Sequence, residues 1–222
     1  MATDRDARER LTSASDQNSR KKLLEKGWRL EIFTIAWNVL EGVIAVTAGI
    51  LAGSVALTGF GVDSWIETAS GVVVGWRLRQ ELRGRSLSKA EHLERVASRV
   101  AGGLLFALSA YIVLEAVRRL LGFGEPAQES IVGIVLTSVS LAVMPFLAWM
   151  KLKTARELGS TALRADAYET IACAWLSFTT LAGLTLNAVL GWDWADPLAA
   201  LVLVPLLLRE GWESWREADE GE

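Results

Sequence analysis

The sequence predicts an all-α membrane protein: a bundle of six membrane-spanning helices with both termini in the cytoplasm. Three observations carry that expectation. Of the 222 residues, 51% are hydrophobic and 22% charged, and the mean hydropathy is +0.30, where soluble chains are usually negative. The charges cluster in short stretches that separate long apolar runs. The basic residues, in turn, fall almost entirely on alternate connections between those runs.

A helix needs about 20 mostly apolar residues to cross a bilayer, and six segments qualify. The first, residues 32–52, carries only Glu41 as a charge, and the second, 55–76, carries Asp63 and Glu67. The third, 100–117, contains Glu115, the fourth, 131–150, has no charge, and the fifth, 167–190, contains Glu169. The sixth, 194–208, is the shortest and carries Asp196 near its start. Trp192 and Trp194 before its apolar run and Trp212 and Trp215 beyond it suit interfacial anchors. A soluble bundle would show a polar outer face on such segments, and these have none.

Lys and Arg accumulate on the cytoplasmic side. Of the 23 Lys and Arg residues, all but Arg118 and Arg119 lie in the N-terminal arm, the second-to-third and fourth-to-fifth connections or the tail. Both ends are therefore expected in the cytoplasm, with three short outer loops. The polar segment 1–28 reads as a solvated, largely disordered arm, 29–212 as the membrane domain and 213–222 as a short acidic tail. No segment outside the membrane is long enough to bury a second core. The arm has no apolar stretch of the kind a cleaved signal needs, and a bacterial plasma membrane is the expected location.

Composition also excludes function classes. The net charge is −3 and no basic patch is interleaved with aromatics, which sets nucleic acid aside as a partner. One cysteine, Cys173, rules out an internal disulfide, and one histidine, His92, rules out a histidine-rich metal site. Metal chemistry here must rest mainly on carboxylates.

An internal repeat brings such carboxylates together. Gly53-Ser54-Val55-Ala56-Leu57 opens the second span, and Gly159-Ser160-Thr161-Ala162-Leu163 leads into the fifth, 106 residues later. The same offset carries Asp63 onto Glu169 and Glu67 onto Cys173. The second span enters from outside and the fifth from the cytoplasm, so the two read as an inverted repeat. Ten helical residues rise about 15 Å, half of a hydrocarbon core of about 30 Å, which places Asp63 and Glu169 near the midplane. Residues four apart share a helix face, so Asp63 with Glu67, and Glu169 with Cys173, form two polar stripes. Packing them together assembles four potential metal ligands without histidine. Gly49 with Gly53 and Gly71 with Gly75 would allow close helix contact, as in ordinary membrane packing.

Ionisable groups at bilayer depth are costly unless paired, wetted or metal-bound. Because no basic residue lies within a span, Asp63, Glu67 and Glu169 read as functional. Cys173 reads equally as a ligand or a small apolar filler. Asp166 shares the Glu169 face one turn nearer the cytoplasm and suits an ion-entry group or an interfacial residue beside Arg164. Glu41 and Asn38 either line the same cavity or bond between helices. Glu115 is expected to pair locally with Arg118 and Arg119, His92 to be solvated, and Pro145 and Pro205 to kink helices without chemistry.

From Gly53-Ser54-Val55-Ala56-Leu57 through Asp63-Ser64-Trp65-Ile66-Glu67, and again from Ala162-Leu163-Arg164-Ala165-Asp166 through Cys173, the chain resembles the cation diffusion facilitator family of metal transporters. The likeness covers the six spans, and Asp196-Pro197 resembles the family at the start of the last. The resemblance implies a divalent-metal site from two residues on the second span and two on the fifth, here Asp63, Glu67, Glu169 and Cys173. It implies no cofactor, and alternating access with protons moving the other way. The chain departs from the common pattern at Glu67, Glu169 and Cys173, which bears on metal identity more than on transport. It is also expected to lack the cytoplasmic C-terminal domain of many members, so dimerisation and metal sensing through that domain are not carried over. A homodimer stays open.

The expected function is secondary transport: export of a divalent transition metal, with Zn²⁺ favoured and Mn²⁺, Fe²⁺ or Co²⁺ acceptable to an oxygen-rich set, in exchange for protons. Three carboxylates and a thiol in low dielectric cannot all be ionised without a compensating cation. A water or Glu41 completes the shell if Cys173 does not, and Asp166 is a further metal candidate. The competing readings are a non-transporting regulatory or assembly protein with structural acids, and a channel. An enzyme is not expected, for no activated nucleophile or phosphate-cradling loop is present.

Overall fold

The computed structural model describes the backbone of residues 2–84, 88–123 and 127–219, and the side chains of these segments except 2–16, 88–98, 101, 161, 214 and 217–219. Within them lie six helices: α1 (Ala2–Ala52), α2 (Val55–Leu82), α3 (Ser88–Leu120), α4 (Ile131–Leu158), α5 (Thr161–Leu190) and α6 (Ala195–Asp219). Each contains one expected span. Among the described residues α1, α4 and α5 are long and apolar enough to cross a membrane by composition alone. α2 carries two acids in its middle, and α6 has a short apolar run.

The repeated pentapeptides build the same turn twice. Gly53 (φ +63°) and Gly159 (φ +68°) both adopt the left-handed conformation that ends a helix, which glycine reaches without a Cβ penalty. Ser54 and Ser160 follow as caps, each hydroxyl accepting the backbone N–H three residues on, at 3.0 Å from Leu57 and 3.3 Å from Leu163. Two tight helical hairpins result, α1–α2 and α4–α5.

A set of polar contacts joins the Ser54 end of the bundle. Asp196, at the start of α6, accepts the Ser54 hydroxyl and, at 2.9 Å, the Val55 N–H, a donor that a helix start leaves without an intrahelical partner. Arg119, at the end of α3, donates to the Gly53 carbonyl, and Gln128 N donates to Ala52 O at 2.7 Å. Asn187, near the end of α5, donates to Ala127 O at 2.8 Å. The helices therefore alternate in direction, and α2 and α5 start at opposite ends, as an inverted repeat requires. Replacing Asp196 by alanine strands the Val55 N–H and the Ser54 hydroxyl proton. It is expected to cost about 1–3 kcal/mol, read as a lowered unfolding midpoint in detergent; an unchanged midpoint would show that the contact contributes nothing.

The bundle is apolar outside and polar inside. Phe33, Leu40, Val43, Ile50, Leu114, Ile131, Val135, Phe146 and Val189 are all exposed, whereas Glu31, Asn38, Glu41, Ser64, Ser140, Lys151 and Thr170 are fully buried. That inversion of a water-soluble pattern suits a lipid surround. The anchoring tryptophans are exposed too, with Trp192 and Trp194 stacked at 4.8 Å.

Two expectations change. The arm is not separate: α1 is helical from Ala2, and Leu24 is buried against Val74, Leu78, Ala155, Leu158 and Leu163. Leu23, Leu24 and Trp28 give this stretch an apolar stripe, and Arg79 lies 5.7 Å over the Trp28 ring. The acidic tail likewise continues α6 as far as Asp219. Three of the paired glycines do allow close helix contact: a Cβ on Gly49 would come within 2.7 Å of Thr58 N, and one on Gly71 or Gly75 within 3.3 Å of Glu31. Gly71 and Gly75 face the side chains of Glu31 and Ile35, and Gly53 forms the turn.

Candidate metal centre

Residues of the two polar stripes lie near one another inside the bundle. Asp63 and Glu67 project from α2 and Cys173 from α5, all buried. The charges acting on Asp63 are those of Glu67, Glu169 and Glu41, and Glu67 neighbours Cys173. Glu41, from α1, is held by the Ser64 hydroxyl at 3.1 Å and by that of Ser140 on α4. The Cys173 thiol lies 4.0 Å from Glu41 Oε2. Four helices thus converge on one acidic centre.

Two of its oxygens, Glu67 Oε2 and Glu169 Oε2, are buried without a hydrogen-bond partner. Buried polar atoms without partners are costly, and clustered carboxylates repel in low dielectric. A cation or protons would satisfy both. Among the described residues, no three His, Cys, Asp or Glu side chains are drawn close enough to hold a metal ion between them.

Asp166 has a different partner from any proposed in the sequence. Lys151, which the sequence places in the fourth-to-fifth connection, is fully buried on the extended α4 and pairs with Asp166 and with Glu31 of α1, the latter at 3.3 Å. Lys151 lies one residue past the expected fourth span, so the bundle interior holds a basic partner that those span bounds left out. Asp166 sits in an ion pair rather than joining the four candidate ligands. The signal was present in the spacing: Thr137, Ser140, Met144, Leu147, Lys151, Thr154 and Leu158 recur every three or four residues, and all are buried. Lys151 continues a seam that the loss of hydrophobicity after Met150 seemed to end.

Lys151 also reaches the acidic centre through Thr170. Its ammonium lies 3.3 Å from Thr170 Oγ1, which in turn lies 3.0 Å from Glu67 Oε1. Neither Lys151 nor Thr170 was singled out in the sequence. Glu210 was also missed. It follows Asp196, Ala200, Leu203 and Leu207 on the buried stripe of α6, and interacts with Asp63, Glu169 and Glu67. With Glu169, Arg164, Arg209 and Glu213 it lines a cavity of about 650 Å³ between α5 and α6.

The remaining assignments are local. Asn38 is buried with both amide atoms unpartnered. Glu115 pairs with Arg118 at 3.2 Å and Arg119 at 3.0 Å, as expected. Pro145 and Pro205 lie inside α4 and α6. The side chain of His92 lies outside the described residues.

Comparison with known proteins agrees with this architecture. Residues 32–218 match the cation efflux transmembrane domain. An uncharacterized transporter of Synechocystis sp. is 30% identical over 172 residues, covering 72% of this chain and 54% of that protein. Proteins named cadmium, cobalt and zinc/H(+)-K(+) antiporter are similar as well. The one from Bacillus velezensis is 27% identical over 58% of this chain and 40% of its own length, and that from Bacillus subtilis 23% identical over 87% and 63%. The chain spans about half the length of the curated relatives it matches. With six helices, an apolar exterior, a buried acidic centre and a domain match over most of its length, this multi-pass membrane protein belongs to the cation efflux family.

Proposed function

We propose that the chain forms the membrane pathway of a divalent transition-metal exporter, with Zn²⁺ the favoured cargo and protons the counter-ion. The observation that carries this reading is the convergence of Asp63, Glu67, Glu169, Glu41 and Cys173 in the bundle interior, with two carboxylate oxygens unpartnered. A divalent cation neutralises such a group, and protons arriving from the opposite side release it. Carboxylates with one thiolate suit Zn²⁺, Co²⁺ or Cd²⁺ better than Mg²⁺ or Ca²⁺. The printed names of the two Bacillus relatives point the same way. The distribution of Lys and Arg supports a cytoplasmic Ser160 end, with both termini on the same side.

The structural-acid reading draws on a specific observation only for Asp166 and Glu31, which have Lys151 as a partner. The test is proteoliposome uptake of Zn²⁺, Co²⁺, Cd²⁺ and Mn²⁺ with a trapped pH dye, comparing wild type with Glu169→Ala. Metal entry coupled to proton exit, lost in the variant, is expected. No flux of any metal from folded wild-type protein would refute transport by this chain. In the same assay Cys173→Ser is expected to retain flux and to shift preference from Cd²⁺ towards Mn²⁺, because the soft ligand becomes a hard one. An unchanged ranking would remove Cys173 from the shell.

A further inference from the structure

We propose that Lys151, acting through Thr170, is a positioning residue for the cation site: it aims the Thr170 hydroxyl proton at Glu67 and so leaves the second oxygen of Glu67 free for the ion. The proposal rests on the transport reading above and adds two residues and a mechanism to it.

The geometry is one of hydrogen-bond direction. An ammonium only donates, so at 3.3 Å Lys151 occupies a lone pair of Thr170 Oγ1. The single Thr170 proton must then go elsewhere. Two acceptors lie within reach, Glu67 Oε1 at 3.0 Å and the Asp166 carbonyl at 3.1 Å. A carboxylate is the stronger acceptor, and the Asp166 carbonyl already accepts the backbone bond of the α5 ladder. Glu67 Oε1 is thereby tied, and Glu67 Oε2 remains buried without a hydrogen-bond partner.

Lys151 is itself held from two further sides, by Asp166 on α5 and Glu31 on α1. Its position is set by three helices, so the orientation of Glu67 is fixed by packing rather than chosen when the ion arrives. Pre-orienting a ligand in this way raises affinity by reducing what binding must order. Loss of a partner that orients a metal ligand commonly costs 10–100-fold in affinity.

The experiment compares wild type, Thr170→Val and Thr170→Ser in proteoliposomes over a range of Zn²⁺ concentrations, with equilibrium Zn²⁺ binding measured on the same preparations in detergent. Thr170→Val, which keeps shape and loses the hydroxyl, is expected to raise both the half-saturating Zn²⁺ concentration and the dissociation constant by about tenfold or more, with the maximal rate within about twofold. Thr170→Ser is expected to restore wild-type values. Should Thr170→Val fail to fold, Lys151→Arg serves in its place: it keeps the charge, displaces the donor and should raise half-saturation several-fold. A valine variant with unchanged half-saturation, or with a reduced maximal rate alone, would overturn the positioning role while leaving transport standing. Wild-type protein that neither binds nor moves Zn²⁺ would overturn the transport reading, and this inference with it.

Discussion

Replacing Asp63 by asparagine should reduce Zn²⁺-driven proton flux by about 100-fold, equivalent to roughly 3 kcal/mol, without destabilising the protein. The two halves of this result have different causes. Asp63 is buried, and the charges acting on it are all negative: Glu67, Glu169 and Glu41. Without a cation, a charge on Asp63 would meet only repulsion, so replacing it by a neutral group leaves stability unchanged or raises it. With a divalent ion present, the same carboxylate supplies part of the charge that replaces the ion's hydration. Flux assayed beside thermal unfolding in detergent checks both halves. Flux equal to wild type would remove Asp63 from the pathway, and lost flux with a collapsed unfolding midpoint would make it a structural residue.

Lys151→Met should do the reverse, lowering stability sharply. The substitution keeps most of the side-chain volume but leaves Asp166 and Glu31 buried without their cation. Breaking a buried pair from one side costs about 3–5 kcal/mol, because the remaining charge has neither water nor a partner. Adding Asp166→Asn should recover part of the loss, since the second change removes one of the stranded charges. The measurement is a double-mutant cycle on unfolding free energy, in which the interaction term should be about 0.5–3 kcal/mol. Strict additivity would mean that the two side chains do not interact.

These two residues illustrate how far the chain could be read without its tertiary structure. Asp63 was legible because its four-residue spacing from Glu67 and its match to Glu169 are both local or repeat-based patterns. Such patterns survive in one dimension. The helices were legible for the same reason, as were the two Gly-Ser turns, whose left-handed glycine and serine cap depend on only a few adjacent residues. Their ends were less so. Leu24 and Glu210 lie where average hydropathy falls, but each still belongs to a helix face that packs.

Lys151 shows the limit most clearly. Its own segment, Lys151-Leu152-Lys153, carries two like charges directly after an apolar run. The structure buries the first of them completely and leaves Lys153 exposed, its ammonium 5.9 Å from the Trp149 ring. What separates the two is the helix face on which each lies, and the presence of Asp166 and Glu31 opposite one of them. Those partners are 15 residues later and 120 residues earlier in the chain.

The sequence by itself determined the six helices and the repeat that inverts one half against the other. Hydropathy, helical period and capping act over neighbouring residues, and so they are written locally. Only the tertiary structure decided which charges are neutralised and which are left without a partner. Asp166 went to Lys151, Glu41 to two serine hydroxyls, and Glu67 to Thr170 by one oxygen alone. Electrostatic pairing in a low-dielectric interior depends on distances of a few ångströms between different helices, and those distances exist only once the helices have packed.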